Sequence, residues 1–334
     1  MPVTLKEVAA RAGVSRSAVS RTFTEGASVS PKTRAKVEKA AHELGYLPNA
    51  LASSLTTGRT KLIGLISNNF HNPVFLEVFD RFTRGLQNRG LRPLLVNLSE
   101  DWSPDASLGM LRRYSVDAVI VASSTLPADF AHGFRAADIP VVHAFGRFSE
   151  RPIVDVVGID NVACGRMAAQ TLLARGYRRI AFLGGPERAT STQDRLMGFL
   201  DGLVGVSDLT VSHSFAADYS FEAGRAEMLR LLPAGPAEAY FCGDDILSIG
   251  ALSALRDRGY LVPRDVGLLG LNDMEMAGWA NIALTTIRQP IPEIVDAAVE
   301  MTLDVLDAPD RAPESRLFPC AIVERGTLRG VRAS

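Results

Sequence analysis

Apolar residues recur along this 334-residue chain in two rhythms, and the change near residue 60 divides it. Before it, short stretches repeat at the spacing of one helix face. Leu5, Val8, Ala9 and Ala12 follow a capping box, Thr4-Leu5-Lys6-Glu7, and predict a helix over 5–12 that Gly13 ends in the left-handed conformation. Val14 turns inward, and Ser15 caps a second helix with Val19 and Phe23 on its buried side. Ser30-Pro31, a cap followed by proline at the first helical position, predicts a third helix with Val37, Ala40, Ala41 and Leu44 inside and Gly45 closing it. Helix, tight turn, helix, then a third helix on the same small core is the expected order.

From Leu62 onward, short apolar runs alternate with amphipathic stretches, as in βαβ units on a parallel sheet. Strands are expected at 62–67, 91–98, 117–122 and 140–145, with helices at 73–89 and near 104–114 and 128–137. A second set begins at Asp160-Asn161, which caps a helix running to Arg175. Its strands are expected at 179–184, 239–242 and 266–271, and its helices near 194–204, 220–231 and 245–258. Ile287-Arg288-Gln289-Pro290 leads into a helix near 291–307, and 316–324 is a final strand-like stretch. Two similar α/β lobes result, joined by a chain that crosses between them more than once. The expected organisation is a headpiece at 1–47, a hinge and linker at 48–61, and a core at 62–334. Within the core, the N-lobe takes about 62–159 plus 290–318, and the C-lobe about 160–289 plus 319–330.

Composition narrows the class. The chain is 47% hydrophobic and 22% charged, as globular proteins are, and no apolar run approaches the roughly 18 residues of a membrane span. Its start lacks the apolar core of a secretory signal, so a cytoplasmic protein is expected. Cys164, Cys242 and Cys320 are far apart and suggest neither a disulfide framework nor a zinc site. Net charge is −1, but unevenly placed. Residues 1–60 hold nine Lys and Arg against four Glu, leaving the rest of the chain acidic. A basic head on an acidic body fits a polyanion bound at one end. The second helix turns Arg16, Ser17, Ser20 and Arg21 away from the core, where a helix can enter the major groove of DNA; the alternative is a solvated basic face. Arginine offers guanine a bidentate fork, whereas serine is less specific.

The segments 4–21, Val-Ser-Pro-Lys-Thr-Arg (29–34) and Leu-Gly-Tyr-Leu-Pro-Asn-Ala-Leu-Ala-Ser-Ser-Leu (44–55) resemble the headpiece of the lactose-repressor (LacI/GalR) family. The resemblance implies DNA contacts from Thr4, Ser15, Arg16, Ser17, Ser20 and Arg21. It also implies a hinge that becomes helical on DNA, with Asn49 and Ala52 at the minor groove and Leu55 wedged into the central base step. An isolated helix of about seven residues is marginal in water, which suits folding upon DNA, and an apolar wedge kinks the duplex. Two hinges side by side require a homodimer. Later matches include Gly-Leu-Ile-Ser (64–67), Asn-Pro-Val-Phe (72–75), Leu-Gly-Gly-Pro (183–186), Gly-Asp-Asp (243–245), Gly-Leu-Asn-Asp (270–273) and Glu-Arg-Gly-Thr (324–327). These resemble the same family's periplasmic-binding-protein-like core.

Ligands of open parallel sheets bind beyond the carboxyl ends of the strands, and two lobes share such a cleft. The loops there carry Val74, Phe75, Ser124, Phe145, Arg195, Tyr219, Asp244, Asn272 and Asp273. Aromatic faces with Asp, Asn and Arg suit a sugar or sugar derivative. The resemblance singles out Arg195 as the residue holding an effector's polar groups. Core packing is the alternative for Phe75 and Tyr219, and a surface ion pair for Arg195 and Asp244. Relatives often carry Asp where this chain has Ala144 and Asn272, so Asp273 is a candidate replacement. The reading is a dimeric, effector-controlled repressor of double-stranded operator DNA, with the effector expected to release it. An exported sugar-binding protein explains the core without the headpiece. An enzyme is disfavoured: no G-x-G-x-x-G, Walker loop, H-E-x-x-H or G-x-S-x-G is present, and no cofactor is expected.

Overall fold

The computed structural model describes residues 3–24, 26–47, 58–98 and 104–331, and the chain divides into two compact units after Lys61. In the first, α1 (Leu5–Ala12), α2 (Arg16–Thr22) and α3 (Pro31–Leu44) bury Val8, Ala9, Val19, Val37, Ala40 and Ala41 together. Their ends are fixed locally. The Glu7 carboxylate accepts from the Thr4 N–H at 2.7 Å and from its hydroxyl at 2.8 Å. Ser15 and Ser30 each accept from a backbone N–H in the first turn of the following helix. Gly13 and Gly45 close α1 and α3 at φ of 65° and 64°, where a side chain would be strained.

The second unit holds two six-stranded sheets. The N-lobe sheet has the order β11-β5-β4-β3-β1-β2 and is parallel throughout. It consists of β1 (Leu62–Ser67), β2 (Arg92–Asn97), β3 (Ala118–Ala122), β4 (Val141–Ala144), β5 (Asp155–Gly158) and β11 (Ser315–Leu317). The C-lobe sheet has the order β12-β10-β9-β8-β6-β7 and only its last strand runs antiparallel. It consists of β6 (Arg179–Gly184), β7 (Thr210–Phe215), β8 (Ala239–Cys242), β9 (Gly267–Asn272), β10 (Thr286–Arg288) and β12 (Ala321–Val323). The N-lobe helices are α4 (Val74–Asn88), α5 (Pro104–Arg113) and α6 (Ala128–Arg135); those of the C-lobe are α7 (Asn161–Ala174), α8 (Thr190–Asp201), α9 (Phe221–Leu231) and α10 (Asp245–Asp257). The last helix, α11 (Ile291–Asp307), returns to pack on α4 and on β3, β4 and β5. Central strands are buried on both faces, which explains their unbroken apolar runs.

Several expectations are corrected. The stretch 316–324 is two strands in different sheets, because Pro319 cannot donate to a ladder and the chain changes lobe there. β5, β7 and β10 were not expected as strands. β7 is an edge strand with exposed polar residues, and β10 has three residues only. The helix carrying Arg195 starts at Thr190 rather than near 194; Ala189 precedes it without a side-chain cap, which leaves no start signal.

Candidate functional site

In the headpiece, the basic residues differ in what occupies them. Arg11 pairs with Glu43 at 2.7 Å, holding that carboxyl below its ordinary range, and Arg34 donates to the Thr22 carbonyl at 2.9 Å. These two tie α3 to α1 and α2. On α2, Arg16 and Arg21 are exposed and have no partner among the described residues. Ser15 caps the helix, its hydroxyl lies 2.9 Å from that of exposed Ser17, and Ser20 is half-buried. Thr4 is exposed in its capping box. A short helix thus presents two unpaired guanidinium groups and a hydroxyl on a surface braced from behind. Asn49, Ala52 and Leu55 lie outside the described residues.

In the core, strand ends from both lobes meet at a cavity of about 20 Å³. Val74, Phe75 and Val78 of α4 line it, with Ser124 after β3, Phe145 after β4, Arg195 of α8, Asp244 after β8, and Asn272 at the end of β9. Gln289 and Ile291 complete it from the crossing between β10 and α11. Seven of the nine residues expected in the effector site are therefore together. Two are not. Asp273 is held by Arg288 and Arg325, each at 2.6 Å, and does not line the cavity, so Asp244 rather than Asp273 is its carboxylate. Tyr219 is buried with its hydroxyl 2.7 Å from Thr192, and faces a larger outer opening instead. Sequence reasoning missed Val78, Gln289 and Ile291. Gln289-Pro290 was visible as a break before a helix, but not that the break crosses the lobes.

The polar groups hold one another. Asp244 caps α10, accepting from the Ile246 N–H at 2.9 Å, from Asn72 at 2.8 Å and from Asn272 at 2.9 Å. Burial pushes its carboxyl up, opposed by those donors and by the charge of Arg195. Arg195 is anchored through Nε to Asn161 at 2.8 Å and through Nη1 to the Gly243 carbonyl at 2.5 Å. Its Nη2 has no protein partner among the described residues. Gln289 donates to Asn272. Phe75 and Phe145 meet edge to face at 6.0 Å between centroids. Phe145 and Asn272 both have left-handed backbones, at φ of 63° and 128°. Such strain persists only where surroundings enforce it, and here it aims both side chains inward.

Three bridges close the lobes over this cavity. Asn72 reaches Asp244, the Ser124 carbonyl accepts from the Ser191 N–H and the Thr190 hydroxyl at 3.2 Å each, and Arg147 pairs with Asp194 at 2.5 Å. Desolvation raises the Asp194 carboxyl and Arg147 opposes it. The outer opening, about 990 Å³, lies beyond the Ser124 bridge and is lined by Asn68, Asn69, Thr125, Arg188, Asp218 and Tyr219 among others. The space is outside and the convergent chemistry inside. The inner cavity as it stands has room for about one water molecule, so a ligand enters only as the bridges rearrange. Among the described residues no group of three His, Cys, Asp or Glu could hold a metal ion, and no helix is long and apolar enough to cross a membrane.

Two family profiles match the chain: "Bacterial regulatory proteins, lacI family" over residues 4–49 and "Periplasmic binding protein-like domain" over 169–328. The HTH-type transcriptional repressor PurR of Pectobacterium atrosepticum is 32% identical over 336 residues, spanning 98% of this chain and 97% of that protein. Among solved structures, the Lac repressor dimer bound to operator and the anti-inducer ONPF superposes with a TM-score of 0.86 at 25% identity, covering 99% of this chain and 100% of that one. A complex of the regulator CelR with cellobiose superposes at 0.71 with 30% identity, covering 97% and 99%. With its capped helix-turn-helix headpiece and two-lobed parallel-sheet core, the chain belongs to the lacI family of bacterial regulatory proteins and is a DNA-binding transcriptional regulator.

Proposed function

We propose that this protein represses transcription as a homodimer on a pseudo-palindromic operator in the cytoplasm, and that a small sugar or sugar derivative bound between its lobes releases it. Base and phosphate contacts come from Arg16, Ser17, Ser20 and Arg21, with Thr4 and Ser15 at the backbone and Asn49, Ala52 and Leu55 at the minor groove. The observation that carries the effector reading is the convergence of Phe75, Phe145, Arg195, Asp244 and Asn272 on one closed cavity. Two aromatic rings suit the C–H faces of a sugar; a fixed arginine fork, a carboxylate and an amide suit its hydroxyls. The cellobiose bound to CelR supports that ligand class. A ring larger than one water must part the Asn72–Asp244 and Ser124–Ser191 bridges. Entry is thereby coupled to the angle between lobes, and ligand favours whichever angle it fits.

A thermal-shift screen of sugars, sugar acids and nucleobases tests this. A compound at 100 to 1,000 times its dissociation constant stabilises the native chain by about 3–4 kcal/mol. Arg195→Ala, which removes the anchored fork, is expected to lose that stabilisation; a variant that responds like the wild type contradicts the site.

A further inference from the structure

The large opening outside the Ser124 bridge differs from the inner cavity in how its polar groups are engaged. Inside, Asp244, Asn272, Gln289 and Arg195 are bound to neighbouring side chains and backbone. Outside, exposed Arg188 and Asp129 and the half-buried side-chain amide of Asn69 have no partner among the described residues. Exposed Asp218 accepts from the Tyr219 N–H at 2.7 Å through one carboxylate oxygen, and the other has no partner among the described residues. These groups stand around a fixed frame. Asn68 donates to the Thr125 hydroxyl at 2.9 Å and accepts from that of Ser123 at 2.8 Å. Tyr219 lies against Gly185, where an added Cβ would stand 2.4 Å from its Cζ, and its hydroxyl is 2.7 Å from that of Thr192. Leu98, Leu126 and Phe130 add an apolar wall. We propose that the outer opening is a second ring-binding subsite, and that the effector is a neutral disaccharide with one ring in the inner cavity and the other held by Asn69, Arg188 and Asp218; this rests on the sugar reading given above.

The two spaces are parts of one trough along the strand ends. In the N-lobe, the inner cavity draws on α4 and the loops after β3 and β4, and the outer opening on those after β1, β2 and β3. In the C-lobe, the loops after β8 and β9 serve the first, and those after β6 and β7 the second. Adjacent residues divide between them. Ser124 lines the inner cavity and Thr125 the outer opening; Ala189 lines the outer opening, and Arg195, six residues further along α8, the inner cavity. Six residues of helix rise about 9 Å, a step that suits two linked rings better than one. A second ring crosses the line of the Ser124 bridge, and the Ser124 carbonyl, parted from Ser191 and Thr190, becomes an acceptor for a ligand hydroxyl.

The lining of the outer opening decides the chemical class. Arg188 and Asn69 offer donors, while Asp129 and Asp218 offer acceptors, as a rim of hydroxyls requires. Tyr219 and the apolar wall suit the C–H faces of the ring. An anionic group is disfavoured. Asp129 and Asp218 outnumber Arg188 outside, and Asp244 stands with Arg195 inside, so a phosphate or carboxylate meets at least as much negative as positive charge. Asn69 and Asp129 belong to the N-lobe, and Arg188 and Asp218 to the C-lobe. The second ring is therefore gripped from both sides, and its binding, like that of the first, depends on the angle between lobes.

The test is calorimetric titration of the full chain with cellobiose, maltose, trehalose, lactose, melibiose and sucrose, with their component sugars glucose, galactose and fructose, and with glucose 6-phosphate. At least one disaccharide is expected to bind at least about tenfold more tightly than either of its component sugars, as hydrogen bonds to a charged group and an amide provide. In Arg188→Ala and in Asn69→Ala, the ratio of monosaccharide to disaccharide Kd is expected to fall severalfold towards one. A monosaccharide that binds as tightly as the disaccharides containing it, a preference for glucose 6-phosphate, or an unchanged ratio in both variants would overturn the subsite and leave the sugar reading standing. Binding of none of these compounds would contradict the sugar reading itself, and the subsite with it. The wild-type titrations decide the matter even if neither variant folds.

Discussion

The two lobes have the same central strand order, β5-β4-β3-β1-β2 against β10-β9-β8-β6-β7, and cover their sheets by different means. In the C-lobe, helices approach backbone to backbone. A Cβ added at Gly198 of α8 would lie 1.9 Å from the Val162 carbonyl oxygen of α7, and one at Gly165 of α7 would lie 2.2 Å from that of Arg195. The second pair repeats this: a Cβ at Gly224 of α9 would meet the Leu247 oxygen at 2.5 Å, and one at Gly250 of α10 the Phe221 oxygen at 2.2 Å. In the N-lobe, the helical residues Gly109 and Gly133 have nothing within 4 Å of such an atom, and the layers are filled by Phe79, Phe82, Phe130 and Phe134. One topology is thus built with interlocked backbones and again with deformable side chains. The interlocked lobe carries Arg195 and Asp244, the charged groups that need fixed positions. The other supplies the aromatic wall.

The largest expected effect breaks the interlock. Gly198→Ala is expected to destabilise the core by about 3 kcal/mol or more, because the clash is with backbone and no rotamer relieves it. A clear fall in the urea midpoint checks this; a midpoint like the wild type's would mean that α7 and α8 part at little cost.

Buried titrating groups set the lobes against each other next. In the C-lobe, burial and neighbouring Asp244 push Asp245 up to about 7, although the Thr286 hydroxyl donates to it at 2.6 Å and the Met274 N–H at 2.9 Å. The folded chain then holds a proton that the unfolded chain releases near 3.8. Its contribution is whole below that pH and is lost as pH rises towards 7. In the N-lobe, burial lowers His143 to about 4 from 6.5, against the Ser123 carbonyl that accepts from its Nε2 at 3.0 Å. Its Nδ1 has no partner among the described residues. Here the contribution is whole above 6.5 and is lost as pH falls through 4. Asp245→Asn is expected to flatten the loss of stability on raising pH, and His143→Gln the loss on acidification, read as urea midpoints across pH. Variant profiles parallel to the wild type's would remove the contrast.

The smallest effect runs the other way. Gly109→Ala and Gly133→Ala, exposed in helices with open space around them, are expected to stabilise by about 0.5–1 kcal/mol each. A loss at either position would show that the N-lobe is packed more tightly than its glycines indicate.

How much of this was legible follows the range of the causes. The headpiece is local: a capping box, serine caps and two left-handed glycines act within a few residues, and all lie where the pattern places them. The central strands announce themselves because burial on both faces demands apolar runs. β7 does not, since Thr210–Phe215 has exposed polar positions at the sheet edge. At the site, residues beyond strand ends could be read from the general behaviour of parallel sheets. Adjacent polar residues could not be told apart. Asn272 and Asp273 follow one another, yet their φ values of 128° and 61° send one side chain to Asp244 and the other to two arginines. Gln289 and Ile291 reach the cavity because the chain crosses lobes there, a fact set by tertiary packing.

The central claim is that the cavity between the lobes controls a DNA-binding headpiece. The most direct measurement takes a duplex selected from random-sequence DNA by the wild-type chain and determines its Kd with and without the compound giving the largest thermal shift. The wild type is expected to weaken by about fivefold or more, the lower end of ordinary coupling, while Arg195→Ala keeps its ligand-free affinity and shows no change. An equal Kd with and without a compound that stabilises the wild type would contradict the account.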